Sequence, residues 1–468
     1  MIKRYSLEMP HHLTLTQMSE LLSARKLSPV ELVRSHLQQI ERHNPQLNAF
    51  VRILAEEALA AAMQAERQPA VGPLHGIPVT IKDSFDLAGH PTLCGSRYRL
   101  NHRAVDDSTA AGRLKAAGAI LIGKTNCPEF LNSYETDNFT TGRTNNPWDL
   151  ARTPGGSSGG ESAAIASFMS AGGVGSDGGG SLRVPAHFTG IAALKPTPGR
   201  VSAAGHYPPF CHPAGLLAVA GPMARNTSDL RLLFQALAGY DLADPFAAPV
   251  PFGEPNLSGI RIGVAEQFYN VPVQDSVKRA VRKAAAALAD LHFQVEEFLP
   301  HGLERSPNLW WFFFGELPAP FTREIIATDS ERAHWTATEF LDTVSYEPAS
   351  ARVVVENLAA RDAMRTSLLK QMQNYPVLLL PPCGVTAFHH RERLFQTSTK
   401  PISVFQAMMP ATPFNLLGLP SVVIPFDISD DGLPVGIQLV GRPYDEEMLL
   451  EIAVQLESTR PVFSPPGY

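Results

Sequence analysis

Cysteine is scarce in this chain and carries no pattern. The four cysteines, Cys94, Cys127, Cys211 and Cys383, include no C-x-x-C pair, so neither a zinc site nor a disulfide framework is indicated and free thiols in a reducing cytoplasm are expected. Positive charge is not in excess: 39 Lys and Arg stand against 45 Asp and Glu, a formal charge of −6. No basic run marks a nucleic-acid-binding face, which excludes a polyanionic partner. No window approaches the ~20 apolar residues of a spanning helix, and the amino-terminal stretch MIKRYSLEMPHHLTLTQ has no apolar segment of signal-peptide length. A cytoplasmic protein without an integral membrane segment is therefore expected. Internal repeats and low-complexity tracts are absent too, so a repeat fold is not supported.

What is present is a chain of 468 residues, 44% hydrophobic and 18% charged, which is enough to bury a large core. The first clear element is LSPVELVRSHLQQIERHNP: Ser28 caps a helix, Pro29 takes its first position, Glu31 completes a capping box, and Asn44-Pro45 ends it. Between about 74 and 205, short apolar runs such as IPVTI (77–81) and AILI (119–122) alternate with Ala-rich helical stretches and Gly/Pro turns, the texture of an α/β sheet covered by helices. Longer helical patterns, DSVKRAVRKAAAALADL and ASARVVVENLAARDAMRTSLLKQM, occupy 245–375. Strand-like runs return in YPVLLLPP, LPSVVIPFD and LPVGIQLVG. The expected organisation is one domain over 1–468: amino-terminal helices to 65, a core at 66–240, a variable helical insert at 245–375 forming one wall of a cleft, and 376–468 completing the same sheet.

Several motif matches mislead. GAILIGKT (118–125) fits the phosphate-loop pattern with Lys124 and Thr125 in the phosphate and magnesium roles. A phosphate loop must curl its amides inward, however, and the apolar residues 119–122 favour a strand. GSSGG (156–160) fits a nucleophile elbow around Ser158, but WDLARTPG before it reads as a loop, and Ser158-x-x-Glu161 reads better as a capping box. SARK (23–26) fits S-x-x-K without its partner motifs. The adjacent pairs His11-His12 and His389-His390 point their side chains apart, so no metal site is expected.

Three polar features survive: Lys82 after the run 77–81, the pair Ser157-Ser158 in PGGSSGG, and Ser181 in SDGGGSLRVP. An exposed lysine is charged at neutral pH and useless as a base, but burial at a strand end can lower its pKa. Asp83 faces the opposite side of an extended strand and so need not keep Lys82 charged. Ser181 follows Gly178, Gly179 and Gly180, whose amides can turn inward to meet an oxyanion, with Asp177 holding the loop; a simple tight turn is the alternative.

GGSSGG, GSDGGGSLRVPA and ALKPTPGR resemble the amidase signature enzymes, which hydrolyse amides with a Ser-Ser-Lys triad, and the spacing of the three positions agrees. The likeness extends to GIPVTIKD, GKTNCPEF, NNPWDLARTPGGSSGG and the carboxy-terminal TPFNLLGLPSVVIP and GLPVGIQLVGRPYDE, and is weak over 245–375. The resemblance implies an α/β fold with a large, mostly mixed central sheet covered by helices on both faces. It also implies that Ser181 is the acylated nucleophile, Ser157 the bridging serine after a cis Gly156–Ser157 peptide, and Lys82 the base. Residues 178–181 would form the oxyanion hole, Ser158, Asp177 and Arg183 would support it, and Leu131 in FLNSY (130–134) would sit in the pocket wall. One departure is Gly178, which stands where the family carries a side chain; its effect is expected on the shape of the acyl pocket.

No cofactor and no metal are implied, and the expected partner is a small-molecule amide, with an ester, anilide or carbamate as variants and a homodimer compatible with the reading. The aromatic run in NLWWFFFGELPAPF (308–321) exceeds one helix face, so most of it reads as core and part as the mouth of a site for an apolar or aromatic substrate. Rival readings are the amidase-type component of a glutamine-dependent tRNA amidotransferase, a non-catalytic or nucleotide-binding protein, and a thiol amidase using Cys127 beside Lys124.

Overall fold

The computed structural model describes residues 9–345 and 347–468; the first eight residues of the amino-terminal stretch read above lie outside it. Thirteen strands are present among the described residues: β1 (Phe50–Ile53), β2 (Pro78–Lys82), β3 (Ile120–Thr125), β4 (Gly172–Asp177), β5 (Ala192–Lys195), β6 (Val219–Ala224), β7 (Arg261–Val264), β8 (Gln294–Glu297), β9 (Val377–Leu380), β10 (Leu394–Phe395), β11 (Ile402–Ser403), β12 (Ser421–Ile428) and β13 (Pro434–Gly441). Eleven form one sheet in the order β1-β3-β2-β4-β6-β5-β12-β13-β9-β7-β8, and β10 and β11 make a separate pair. Pairing is parallel where β2 meets β3 and β4 and where β7 meets β8 and β9, and antiparallel elsewhere. The sheet is thus mixed.

Helices cover both faces, and the pleat shows it. Along β12, Val422 and Ile424 join the cluster that includes Ala284 of the helix Asp275–Asp290 and Leu449 of Glu446–Glu457, whereas Val423 joins Ile165 of Gly159–Ala166 and Ala186 of Arg183–Thr189. Strands buried on both sides read as continuous apolar runs, which is why VVI and LLL stood out in the sequence. No helix among the described residues is long and apolar enough to cross a membrane.

Local chemistry accounts for most elements. Ser28 Oγ accepts from the amides of Val30 and Glu31 while Glu31 accepts from Ser28 N, the reciprocal box expected for Pro29–Leu47. That helix does not stop at Pro45. Pro45 lies in the last turn on an exposed face, where its missing N–H forfeits little, and the helix ends instead at Asn48 with φ 52°.

Three further expectations change. GAILIGKT contains β3, and Lys124 is committed to a buried ion pair with Asp83 (2.9 Å) and to the carbonyl of Pro91, so no phosphate loop forms. Ser158 precedes the helix Gly159–Ala166, but its side chain makes no cap bond; it turns toward Lys82, and Glu161 turns inward to accept from Thr80 and Thr125. Within 245–375, β7 and β8 join the sheet edge between the helical stretches.

Candidate active site

Lys82 ends β2, between β3 and β4, and the strand's alternation separates it from Asp83. Asp83 pairs with Lys124, and Lys82 forms no ion pair among the described residues. Instead its Nζ meets three hydroxyls: Ser157 Oγ at 2.8 Å, Ser158 Oγ at 3.0 Å and Ser176 Oγ at 3.0 Å. Burial pushes the lysine down from its ordinary value to about 8, against weaker opposing effects from Cys127, Cys94, Asp177 and Glu161. Ser157 and Ser158 are presented by a tight loop whose Gly156–Ser157 peptide is cis. A Cβ on Gly156 would come within 2.6 Å of the Ser133 carbonyl oxygen, so that loop packs against residues 133–135 only because the position is glycine.

Ser181 lies between the end of β4 and the helix Arg183–Thr189. Asp177 organises this loop by accepting from Gly180 N (2.7 Å), Leu182 N (3.1 Å) and the Arg183 guanidinium (3.0 and 3.1 Å). Burial alone would raise the Asp177 carboxyl, but Arg183 and these bonds outweigh it and hold the group well below the usual carboxylate range. Asn415 donates to the carbonyl and carboxylate of Asp177, and Arg183 also reaches the Ala411 carbonyl (2.9 Å) and Gln438 Oε1 (3.2 Å). Every one of these groups is buried.

The loop's peptide planes are fixed from behind. Trp310 Nε1 donates to Gly178 O and Tyr134 Oη to Gly179 O, each at 2.8 Å. The N–H of a peptide points away from its carbonyl, so the Trp310 bond turns the Gly179 amide toward the opposite side. The Gly180 amide is engaged by Asp177, which corrects the expectation of a full row of donors over 178–181. Among the described residues, the amides of Gly178, Gly179 and Ser181 meet no protein acceptor.

Two cavities meet at Ser181. One, of about 760 Å³, is lined by Tyr134, Trp310, Trp311 and Phe405 with Glu135 and Arg393 at its edge; the other, of about 410 Å³, is bordered by Ser157, Pro208, Phe210, Phe313 and Phe321. Leu131, Phe314 and Phe340 line both. The aromatic run therefore divides as its period dictates: Trp310, Phe312 and Phe313 are buried, and Trp311 and Phe314 are partly exposed. A Cβ on Gly178 would come 3.3 Å from the Phe314 ring, and one on Gly179 would run into the Trp310 indole. The space beside Gly178 is thus filled by Phe314, which narrows the passage between the two cavities. Phe314→Ala is expected to join them and to raise the ratio of kcat/KM for a bulky acyl group over that for an acetyl group about tenfold or more, checked on a series of aryl amides.

The structure brings Lys82, Ser157 and Ser158 into direct contact, and places Ser181, Gly178, Gly179 and Leu131 on the cavities with Asp177 and Arg183 behind them. Sequence reasoning missed Ser176, His206, Tyr134 and Asn415. Alternation along β4 was the available signal for Ser176; nothing local marked the others. Cys127 is buried, and burial together with the neighbouring Cys94 pushes its thiol well above the ordinary value, so a thiolate nucleophile has no support. Among the described residues no cluster of three or more His, Cys, Asp or Glu could hold a metal ion.

A family model for amidases matches residues 31–450, running through the 245–375 segment that carries no motif of its own. The chain is 36% identical to the amidase-type component of a glutamyl-tRNA(Gln) amidotransferase from Roseiflexus sp. (strain RS-1), over 94% of this chain and 95% of that protein. Among solved structures, a chain from a complex described as revealing the evolutionary origins of an s-triazine catabolic enzyme superposes with a TM-score of 0.89, at 26% identity, over 97% of this chain and 100% of that one. 6-Aminohexanoate cyclic dimer hydrolase complexed with substrate superposes at 0.86, with 27% identity over 97% of this chain and 98% of that one. With its mixed sheet, its buried lysine and its serine loops, the chain belongs to the amidase family.

Proposed function

We propose that this chain hydrolyses an apolar or aromatic carboxylic amide through an acyl-enzyme on Ser181. The observation that carries the reading is the buried Lys82 amine, free of any carboxylate partner among the described residues and 2.8 Å from Ser157 Oγ. Neutral Lys82 takes the Ser157 proton as Ser157 takes the proton of Ser181, whose Oγ attacks the carbonyl carbon. The Gly179 and Ser181 amides stabilise the oxyanion. Collapse breaks the C–N bond, the proton returns along the same path to the leaving amine, and water repeats the sequence to release the acid. Esters, anilides and carbamates fit the same chemistry. The aromatic walls of both cavities support an apolar substrate, and neither a cofactor nor a nucleic acid enters the scheme.

The test is incubation with a serine-reactive fluorophosphonate and a panel of amides, followed by mapping of the labelled residue. Labelling of Ser181 and turnover of aryl amides are expected; labelling of Ser158 or a cysteine, or a preference for short polar amides, would overturn the reading. A second reading, release of ammonia from glutamine as one component of a tRNA amidotransferase, is favoured by the 36% identity to such a protein. It predicts that glutamine is hydrolysed in preference to every aryl amide in the panel.

The pH profile follows from the lysine. The base must be neutral, so kcat/KM should rise with pH to a plateau with an apparent pKa near the value of about 8 that burial gives Lys82. About a tenth of the enzyme is then active at pH 7. Lys82→Ala should lose nearly all turnover at pH 7 and regain part of it at high pH, where hydroxide replaces the amine.

A further inference from the structure

A neutral lysine amine has two N–H donors and one lone pair, and Lys82 has three hydroxyls in reach at nearly equal distances. Catalysis requires the lone pair on Ser157. If it rested on either of the others, the amine would offer Ser157 a proton instead of taking one. Distances alone do not decide this, but the partners of the other two hydroxyls do.

Ser158 Oγ donates its proton to the Ser176 carbonyl at 3.2 Å, so toward Lys82 it accepts. Ser176 Oγ lies 3.0 Å from His206 Nε2, and His206 Nδ1 lies 2.8 Å from the Pro208 carbonyl. A carbonyl only accepts, so the ring proton is on Nδ1 and Nε2 carries a bare lone pair. The single proton of Ser176 is therefore drawn to His206, and Ser176 must accept from Lys82 as Ser158 does. Both N–H groups of the amine are then committed, and the lone pair is left on Ser157.

The histidine is built to hold this state. Its ring sits edge-on to Phe85 at 4.7 Å and against Phe210 at 4.1 Å, and its backbone bridges to Phe85. Burial keeps it neutral by lowering its pKa to about 3. The other titratable groups that act on Lys82 are Cys94, Cys127, Asp177 and Glu161. Asp177 is bound to Arg183, and Glu161 accepts from Thr80 and Thr125.

We propose that His206 is a positioning residue that, through Ser176, sets the direction of the Lys82 lone pair onto Ser157. The inference rests on Lys82 acting as the base, as proposed above. It predicts that without the acceptor the freed Ser176 hydroxyl turns and donates to Lys82, which stabilises the neutral amine but takes its lone pair from Ser157.

The test is the pH dependence of kcat and kcat/KM on a p-nitroanilide of a short carboxylic acid, for the wild type, His206→Phe, His206→Gln and Lys82→Met. In His206→Phe, kcat should fall about 10- to 100-fold with KM within about twofold, and the acid limb of kcat/KM should move to lower pH. His206→Gln, whose amide oxygen can accept from Ser176, should return kcat to within about threefold of the wild type and restore the limb. Wild-type kcat in His206→Phe, a pH profile that superimposes on the wild type after scaling, or equal impairment of the Phe and Gln variants would overturn the inference. Lys82→Met separates the two levels. If it keeps the wild-type acid limb, the base assignment fails; if it loses the limb while His206→Phe behaves as wild type, only the role of His206 fails.

Discussion

Ser181→Ala is expected to lower kcat about a million-fold, the scale on which a nucleophile is lost from a serine hydrolase. The loss should be this complete because no neighbouring group is placed to take over. Ser157 is tied to Lys82 at 2.8 Å, Ser158 donates to the Ser176 carbonyl, and Cys127 is buried with its thiol held protonated. The amides of Gly179 and Ser181 remain in the variant, so it should still bind a substrate or a carbonyl inhibitor. The Ser181 side chain borders both cavities and the residue is only partly buried, so thermal unfolding should be unchanged within about 1 kcal/mol. Undiminished turnover in a variant that unfolds normally would refute the assignment of Ser181.

The largest stability effect is expected at Arg183. Arg183→Met removes the cation from a buried carboxylate and leaves the Ala411 carbonyl and Gln438 without their donor. Breaking a buried pair from one side costs about 3–5 kcal/mol. The sign of the pH dependence should also reverse. In the wild type the Asp177 carboxyl is held below its unfolded value, so its contribution is present above the unfolded carboxylate pKa, near about 4, and is lost as pH falls toward the folded value. Without Arg183, burial raises the carboxyl, so the variant's deficit should be greatest at pH 8 and shrink toward pH 5. Urea unfolding at the two pH values measures this, and adding Asp177→Asn to the variant should recover part of the loss at pH 8. A deficit independent of pH would mean that Arg183 acts through packing alone.

How much of this was legible in the sequence follows from the range over which each feature is encoded. The Ser28 cap, the strand ending in Lys82 and the opposite facing of Asp83 are local, and pattern recovers them. The three candidate catalytic positions were legible because each sits in a short glycine-rich or strand-end motif. Ser158 shows the limit of local reading: its spacing to Glu161 satisfies the capping rule, but an inward-facing lysine and two threonines compete for the same side chains. β8 was invisible because an edge strand exposed on most of its length, QVEE, carries no apolar run. Phe314 beside Gly178 and His206 behind Ser176 depend on contacts between distant segments, and no motif announces them.

The crossing between β5 and β12 has a consequence for the timing of biosynthesis. The loop that holds Ser181 is braced by Ala411, Asn415 and Gln438, and β5 pairs with β12. A ribosome has therefore made Lys82, both serines and the glycine loop long before it makes the residues that set their geometry. Until β13 emerges, the nascent chain carries the reactive serine without a formed site, which protects the cell from an unfinished hydrolase and leaves the last strands in control of when chemistry can begin.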